Sequence, residues 1–251
     1  MLRLKRLAVF CLFATCVITG LLFWMLRQSG TAGLWDQAPP PQAGAKLAVL
    51  PDFGARAVDI TDSTMDAEWL ARTAAETGIP ARALQAYAGA AELANSAAPA
   101  CRIGWNTVAA IGFVESGHGS HGGGSLSGTG QVSGPIIGPS LDGGSFAAIP
   151  DTDDGVLDGD AVWDRAVGPM QFIPTTWDLA GRDGNGDGNA DPLNIDDAAL
   201  SAASYLCQGG RDLTTARGWT DAVLSYNQSE SYLRQVREQA NEYAARSGAV
   251  G

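Results

Sequence analysis

Beyond residue 60, apolar residues return every three or four positions between short polar or glycine-bearing breaks, the pattern of packed helices. Ser63 and Asp66 resemble a capping box that opens a helix through Glu76, and Gly78 with Pro80 stops it. Pro80 suits the first turn of a second helix reaching about Asn95, with Ala81, Leu84, Tyr87, Ala88 and Ala91 on one face. Asn106 is placed to cap a third, in which Val108, Ile111, Phe113 and Val114 lead into Glu115. A fourth spans about 196–207 and stops at Gly209 and Gly210. Thr220 is placed to cap a short fifth ending at Tyr226, and Ser229 opens a last amphipathic helix to about Arg246. There is no hairpin pattern and little alternation of strand type. The expected fold class is mainly α, held by helix packing.

Two stretches depart from this pattern. Residues 117–160 carry eleven glycines by Gly144 and then turn acidic at Asp151, Asp153, Asp154, Asp158 and Asp160. A loop of this length inside a compact domain is either functional, as a lid or strand-binding arm, or a solvated insertion. Residues 28–60, rich in Ala, Pro and Gly and including Pro39-Pro40-Pro41, read as a flexible or partly extended tether.

Upstream, residues 7–26 form an uncharged, mostly apolar run of 20, long enough to span a bilayer as a helix. Arg3, Lys5 and Arg6 precede it, so the N-terminus is expected in the cytoplasm and the remainder outside. The run exceeds the usual signal-peptide core, and residues 28–33 offer no small-x-small cleavage site, which favours an uncleaved anchor over a cleaved signal. The expected layout is a cytoplasmic N-terminus and single-pass anchor over 1–27, a linker over 28–60 and a globular domain over 61–248, on the cell-wall side of the membrane. Cleavage of the anchor would make it secreted.

Formal net charge is −11; with four cations set aside beside the apolar run, the exported part carries 12 Lys and Arg against 27 Asp and Glu, about −15. Such a domain repels nucleic acid and anionic headgroups, so no nucleic-acid partner is expected. Any polymer it binds must be held by hydrogen bonding and stacking. Of the four cysteines, Cys11 and Cys16 lie in the apolar run, after Phe10 and Thr15 rather than a lipobox. Cys101 and Cys207 remain: in an oxidising compartment they form a disulfide, the alternative being two separate buried thiols.

The chemistry lies in three short segments. Gly112-Phe113-Val114-Glu115-Ser116-Gly117 sets one carboxylate at the end of an apolar helix. The negative end of the helix and its apolar neighbours both disfavour ionisation, which lets a Glu hold a proton near neutral pH and deliver it to a leaving oxygen. Gly168-Pro169-Met170-Gln171-Phe172 presents an amide in a turn, and Ser225-Tyr226-Asn227 pairs a phenol with an amide at another helix end. One acid flanked by neutral hydrogen-bonding groups suits cleavage of a glycosidic bond. No phosphate loop, zinc spacing or Ser/His/Asp set competes with it.

In their order and approximate spacing, these segments resemble the lysozyme-like lytic transglycosylases. With the apolar N-terminal run and the Asp-rich loop considered below, the chain most resembles the membrane-bound lytic transglycosylase B family, in an actinobacterial version, over about residues 61–245. The resemblance implies cleavage of the β-1,4 bond between N-acetylmuramic acid and N-acetylglucosamine in peptidoglycan glycan strands, with a 1,6-anhydromuramyl end and no required cofactor. It implies that Glu115 is the single acid/base. Gln171 and Tyr226 are then cleft residues, Tyr226 being placed to orient the Glu115 carboxyl, with Asn227, Met170 and Ser116 beside them. The family usually carries Ala where this chain has Ser225, and the glycine-rich insertion replaces a helical stretch. A hydrolytic muramidase on the same fold and a non-catalytic peptidoglycan-binding scaffold are the competing readings. Protein partners are not indicated.

From Asp183 onward, oxygen-bearing residues alternate as in the opening of an EF-hand loop, with Gly188 at the sixth position. The twelfth position is Asn194 rather than Glu; the resemblance implies a lengthened loop, 183–197, closed by Asp197. Asp183, Asn185, Asp187 and Asp197 would hold a structural calcium ion by side chain and Asn189 by its carbonyl. Without metal the loop is an Asx/Gly turn. His118 and His121 have ligand spacing without a third ligand. Among the tryptophans, Trp163 is best placed to stack on a sugar.

Overall fold

The computed structural model describes residues 33, 36–46, 65–134, 136–144 and 147–248. The expected anchor at 7–26 and Ser63 lie outside these residues. Among those described, no helix is long and apolar enough to cross a membrane. Contacts divide the chain into Met1–Ala38, of which residues 33 and 36–38 are described, and Pro39–Gly251, which holds every element that follows.

Among its described residues, seven α-helices form the framework of that unit: α1 (Ala67–Thr77), α2 (Ala81–Ala97), α3 (Trp105–Ser116), α4 (Pro174–Ala180), α5 (Ile195–Leu206), α6 (Ala216–Tyr226) and α7 (Glu230–Arg246). Asp66 caps α1 by accepting from the Trp69 amide at 2.7 Å, and Gly78, at φ 76°, ends it in the left-handed conformation. Ser229 caps α7 as its sequence suggests. Two expected caps are displaced. Thr215, not Thr220, caps α6, which starts earlier; Thr220 is buried inside it. Asn106 lies within the first turn of α3, and its amide accepts from the Ala43 N–H while donating to the Pro41 and Ala240 carbonyls. α4 had no sequence forecast; its seven residues carry too little periodicity to mark it.

α3 is the central helix. It is apolar on all sides between Asn106 and Thr107 in its first turn and Glu115 and Ser116 in its last, and it packs against α2 and α7, while α2 also packs against α5. α2 is alanine-rich along its buried length, which lets neighbouring helices approach closely. Cys101, just before α3, is bonded to Cys207 at the end of α5, with Cα atoms 5.3 Å apart and a separation of 106 positions in sequence. Closing so long a loop adds about 4–5 kcal/mol in the chain-entropy description.

Within the segment expected as tether, residues 39–46 pack on the domain. Gln42 accepts at 2.8 Å from the amide of Gly104, the N-cap of α3, and so braces that helix end from a distant part of the chain, and the Trp105 amide donates to the Ala43 carbonyl. Gly104 is required there: a Cβ would lie 2.4 Å from the Ala43 nitrogen. Pro, Ala and Gly let the chain lie flat on the helix end, so the composition that suggests flexibility here serves close packing.

The insertion is ordered too. β1 (Ile137–Ser140) pairs antiparallel with β2 (Arg165–Val167), with a register shift between its two paired positions. Single bridges join Leu126 to Val132, Asp142 to Ala148 and Pro150 to Trp163. Asp164, fully buried, accepts from the Thr152 amide and hydroxyl and from Thr175 of α4, tying the acidic stretch to that helix. Asp151 and Asp153 lie beside Asp164. Arg82 of α2 donates to the Gly128 carbonyl and pairs with buried Asp196, fixing the glycine-rich part on α5.

Candidate active site

Glu115 occupies the last turn of α3, where the helix emerges beside a cleft of about 440 Å³. Its side chain is half-buried. Tyr232, in the first turn of α7, donates to its Oε1 at 2.6 Å. Burial pushes the carboxyl pKa up to about 7, against the opposing pull of the Tyr232 hydrogen bond. The group therefore holds its proton up to neutrality and loses it just above.

The turn 168–172 is closed by reciprocal hydrogen bonds between Val167 and Phe172. Gly168, at φ 79°, is obligatory: a Cβ would stand 1.9 Å from the Pro192 carbonyl oxygen. Three successive carbonyls of this turn are each taken by a different side chain. Gln171 donates to the Gly168 carbonyl at 2.9 Å and to that of Ile136 at 3.3 Å. The Ser116 hydroxyl donates to the Pro169 carbonyl at 2.6 Å. The Tyr226 hydroxyl donates to the Met170 carbonyl at 2.7 Å. The three segments singled out in the sequence are thus joined, through the backbone of the turn.

This arrangement revises several expected roles. Tyr226 lines the cleft but spends its hydroxyl on the turn; Tyr232, six residues on, is the phenol that meets Glu115. Ser116 is buried and acts as a bracket, accepting from the Gly119 amide while donating to Pro169, so it does not face substrate. Met170 is fully buried and contributes its carbonyl alone. Gln171 does line the cleft, although its amide nitrogen braces the turn at φ 50°. Asn227 is exposed at the end of α6, lines the cleft and accepts from the Ser229 amide. Trp163 pairs with Pro150 and is not part of the cleft wall.

Apart from Phe172 and Ser225, which stand in the segments singled out, the remaining wall was not legible in the sequence. Pro139 and Leu141 come from the insertion, Ala166 from β2, and Phe172 and Ile173 from the turn, giving an apolar side. Tyr205, Ser225 and Gln228 extend the polar side. Phe172 and Tyr205 both meet the Tyr226 ring edge-on, at 5.6 and 6.0 Å between centroids. Among the described residues that line the cleft, Glu115 carries the one carboxyl group, and no lysine or arginine is present.

In the Asp-rich loop, Asp197 is buried and accepts from the amides of Gly184, Asn185 and Asp191. Asp183 accepts from Gly186 and Gly188, Asn185 from Asp187, and Asp187 from Asn189. Burial raises the Asp197 pKa to about 6; its three amide donors pull the other way, and the charge of Asp183 adds a smaller upward push. The residues forecast as ligands therefore lie along a loop built on Asx turns, with Asp183 near enough for its charge to act on Asp197. Their oxygen donors are of the kind calcium takes, but among the described residues the acidic group close enough to share an ion is Asp151, Asp153 and Asp164 rather than this set.

No curated protein and no solved structure matches the chain. The family model of the transglycosylase SLT domain matches residues 155–220, a stretch that contains the turn 168–172, α4, the Asp-rich loop and α5 but stops short of Tyr226 and does not reach back to Glu115. That match supports a lytic transglycosylase of the lysozyme-like type acting on peptidoglycan.

Proposed function

We propose that this chain cuts the β-1,4 bond between N-acetylmuramic acid and N-acetylglucosamine in peptidoglycan, leaving a 1,6-anhydromuramyl end, with Glu115 as the single acid/base. The observation that carries this reading is a half-buried carboxyl of pKa about 7, the one such group on the wall of an otherwise neutral cleft. An ordinary glycosidase needs a second carboxylate to activate water or to attack carbon. When the muramyl 6-hydroxyl is the nucleophile, one carboxyl suffices. Tyr232 holds Oε1, which leaves Oε2 to carry the proton. That proton passes to the glycosidic oxygen as its bond to the anomeric carbon breaks. The 6-hydroxyl oxygen closes on that carbon and returns its proton to Glu115.

Calcium held by Asp183, Asn185, Asp187, Asn189 and Asp197 would stiffen the loop between the turn and α5 and take no part in bond cleavage. Residues 7–26 would tether the domain on the wall side of the membrane.

The test is mass spectrometry of fragments released from purified sacculi by the full-length chain and by its Glu115→Gln variant. The reading predicts muropeptides lighter by one water than reducing-end products, and none from the variant. Reducing ends alone would mean a hydrolase. Equal release by the variant would remove Glu115 from the chemistry.

A further inference from the structure

Three residues beyond Glu115 stands a histidine that the proposed reaction does not use. His118 is 7% exposed and lies at φ 60°, in the left-handed region that non-glycine residues seldom occupy. Both ring nitrogens are engaged: Nδ1 is 3.1 Å from the Tyr87 hydroxyl and Nε2 is 2.9 Å from that of Tyr243. Phe113 packs against the ring, with centroids 5.6 Å apart. Burial pushes the imidazole pKa down to about 4, so the ring stays neutral where Glu115 exchanges its proton. A neutral ring carries one N–H and one acceptor nitrogen, and a phenol can serve either. The ring and the two phenols therefore satisfy one another without water.

The two phenols belong to different helices. Tyr87 is on α2 and Tyr243 on α7. α7 also carries Tyr232, about three helical turns earlier, which holds Glu115. This helix thus grips the end of α3 at two points, Tyr232 on Glu115 and Tyr243 on His118. One hydrogen bond fixes a distance. Two, spaced along the same helix, also fix its slide and rotation. We infer that His118 is a positioning residue for Glu115: it pins α7 and α2 to the turn after α3, so that the Tyr232 hydroxyl meets the carboxyl in one geometry. This inference rests on the reading of Glu115 as the acid/base.

The titratable groups facing His118 are the phenols of Tyr87 and Tyr243, the latter flanked by Glu242 and Arg246. The one acting on Glu115 is Tyr232, and the Glu115 charge in turn raises the phenols of Tyr226 and Tyr232. Tyr232 lowers the Glu115 pKa against burial, so loosening α7 weakens that pull and lets the pKa rise.

The experiment compares the full-length chain with Tyr243→Phe, His118→Phe and His118→Gln on soluble glycan strands, reading kcat, KM, the pH profile of kcat and the melting temperature. Tyr243→Phe keeps the ring in place and removes the hydroxyl that bonds His118 and Gln239. It should lower kcat about 5–10-fold, leave KM within about twofold and move the alkaline limb upward. His118→Phe should lower kcat further. His118→Gln, whose amide can both donate and accept, should retain more activity than His118→Phe. If Tyr243→Phe and His118→Phe lower the melting temperature but leave kcat per folded molecule and the alkaline limb unchanged, His118 supports the fold alone and the inference is overturned. If the unaltered chain cleaves nothing, the glycosidase reading fails and takes the inference with it.

Discussion

The end of α3 and the Asp-rich loop each hold a carboxyl whose pKa is raised by burial, Glu115 to about 7 and Asp197 to about 6. Their surroundings differ in kind. Asp197 is enclosed and accepts from three backbone amides, which fix its position and satisfy its oxygens. Glu115 accepts from one phenol and opens onto a cleft. A carboxyl saturated by backbone donors braces a loop; a carboxyl with one donor and a free oxygen can exchange a proton with something that enters. The same desolvation thus serves two ends, and the number of fixed donors decides between them.

Exchanging the acids separates the two roles. Glu115→Gln should lower glycan cleavage by roughly 10³-fold or more, since the proton donor is gone. The same variant should be more stable than the unaltered chain at pH 8. The folded pKa lies above the unfolded one, so ionising Glu115 costs stability in full above pH 7; the cost shrinks as pH falls from 7 toward the unfolded value and is gone below it. Thermal melts at pH 8 and pH 4.5 read the sign: the variant's advantage should be present at the first and absent at the second. Asp197→Ala should act the other way, leaving three amides unpaired and lowering the melting temperature by roughly 5–15 °C. Calcium should raise the melting temperature of the unaltered chain and leave that of Asp197→Ala nearly unchanged, by calorimetry. Tyr232→Phe sharpens the comparison from the side of the single donor. Without that hydrogen bond the Glu115 pKa rises further, so the alkaline limb should move up by about 0.5–1 pH unit while kcat falls about tenfold.

What the sequence made legible follows the range of each interaction. Helix ends set by their own residues, such as Gly78 and Ser229, could be read from the chain, although α1 takes Asp66 itself as cap rather than as the inner member of a box. The start of α3 could not be placed this way, because its N-cap, Gly104, has no side chain and the Gln42 oxygen that accepts from it comes from a distant segment. Glu115, Gln171 and Tyr226 stood out as residues, yet their roles depend on partners far along the chain. Ser116 reaches Pro169, Tyr226 reaches Met170, and Tyr232 reaches Glu115. Tyr232 hid in the apolar stripe of α7 with Leu233, Val236 and Ala240, where it reads as one more core residue. Its place just after the Tyr226-Asn227 pair was the available signal. The insertion was the least legible, since its order comes from isolated bridges, Asp164 and Arg82 rather than from periodicity.

The central claim is that Glu115 carries its proton to neutrality while facing the cleft. Carboxyl-carbon NMR of the full-length chain, assigned by comparison with Glu115→Gln, measures this directly. The account predicts a titration midpoint near 7; a midpoint near the ordinary 4.5 would contradict it.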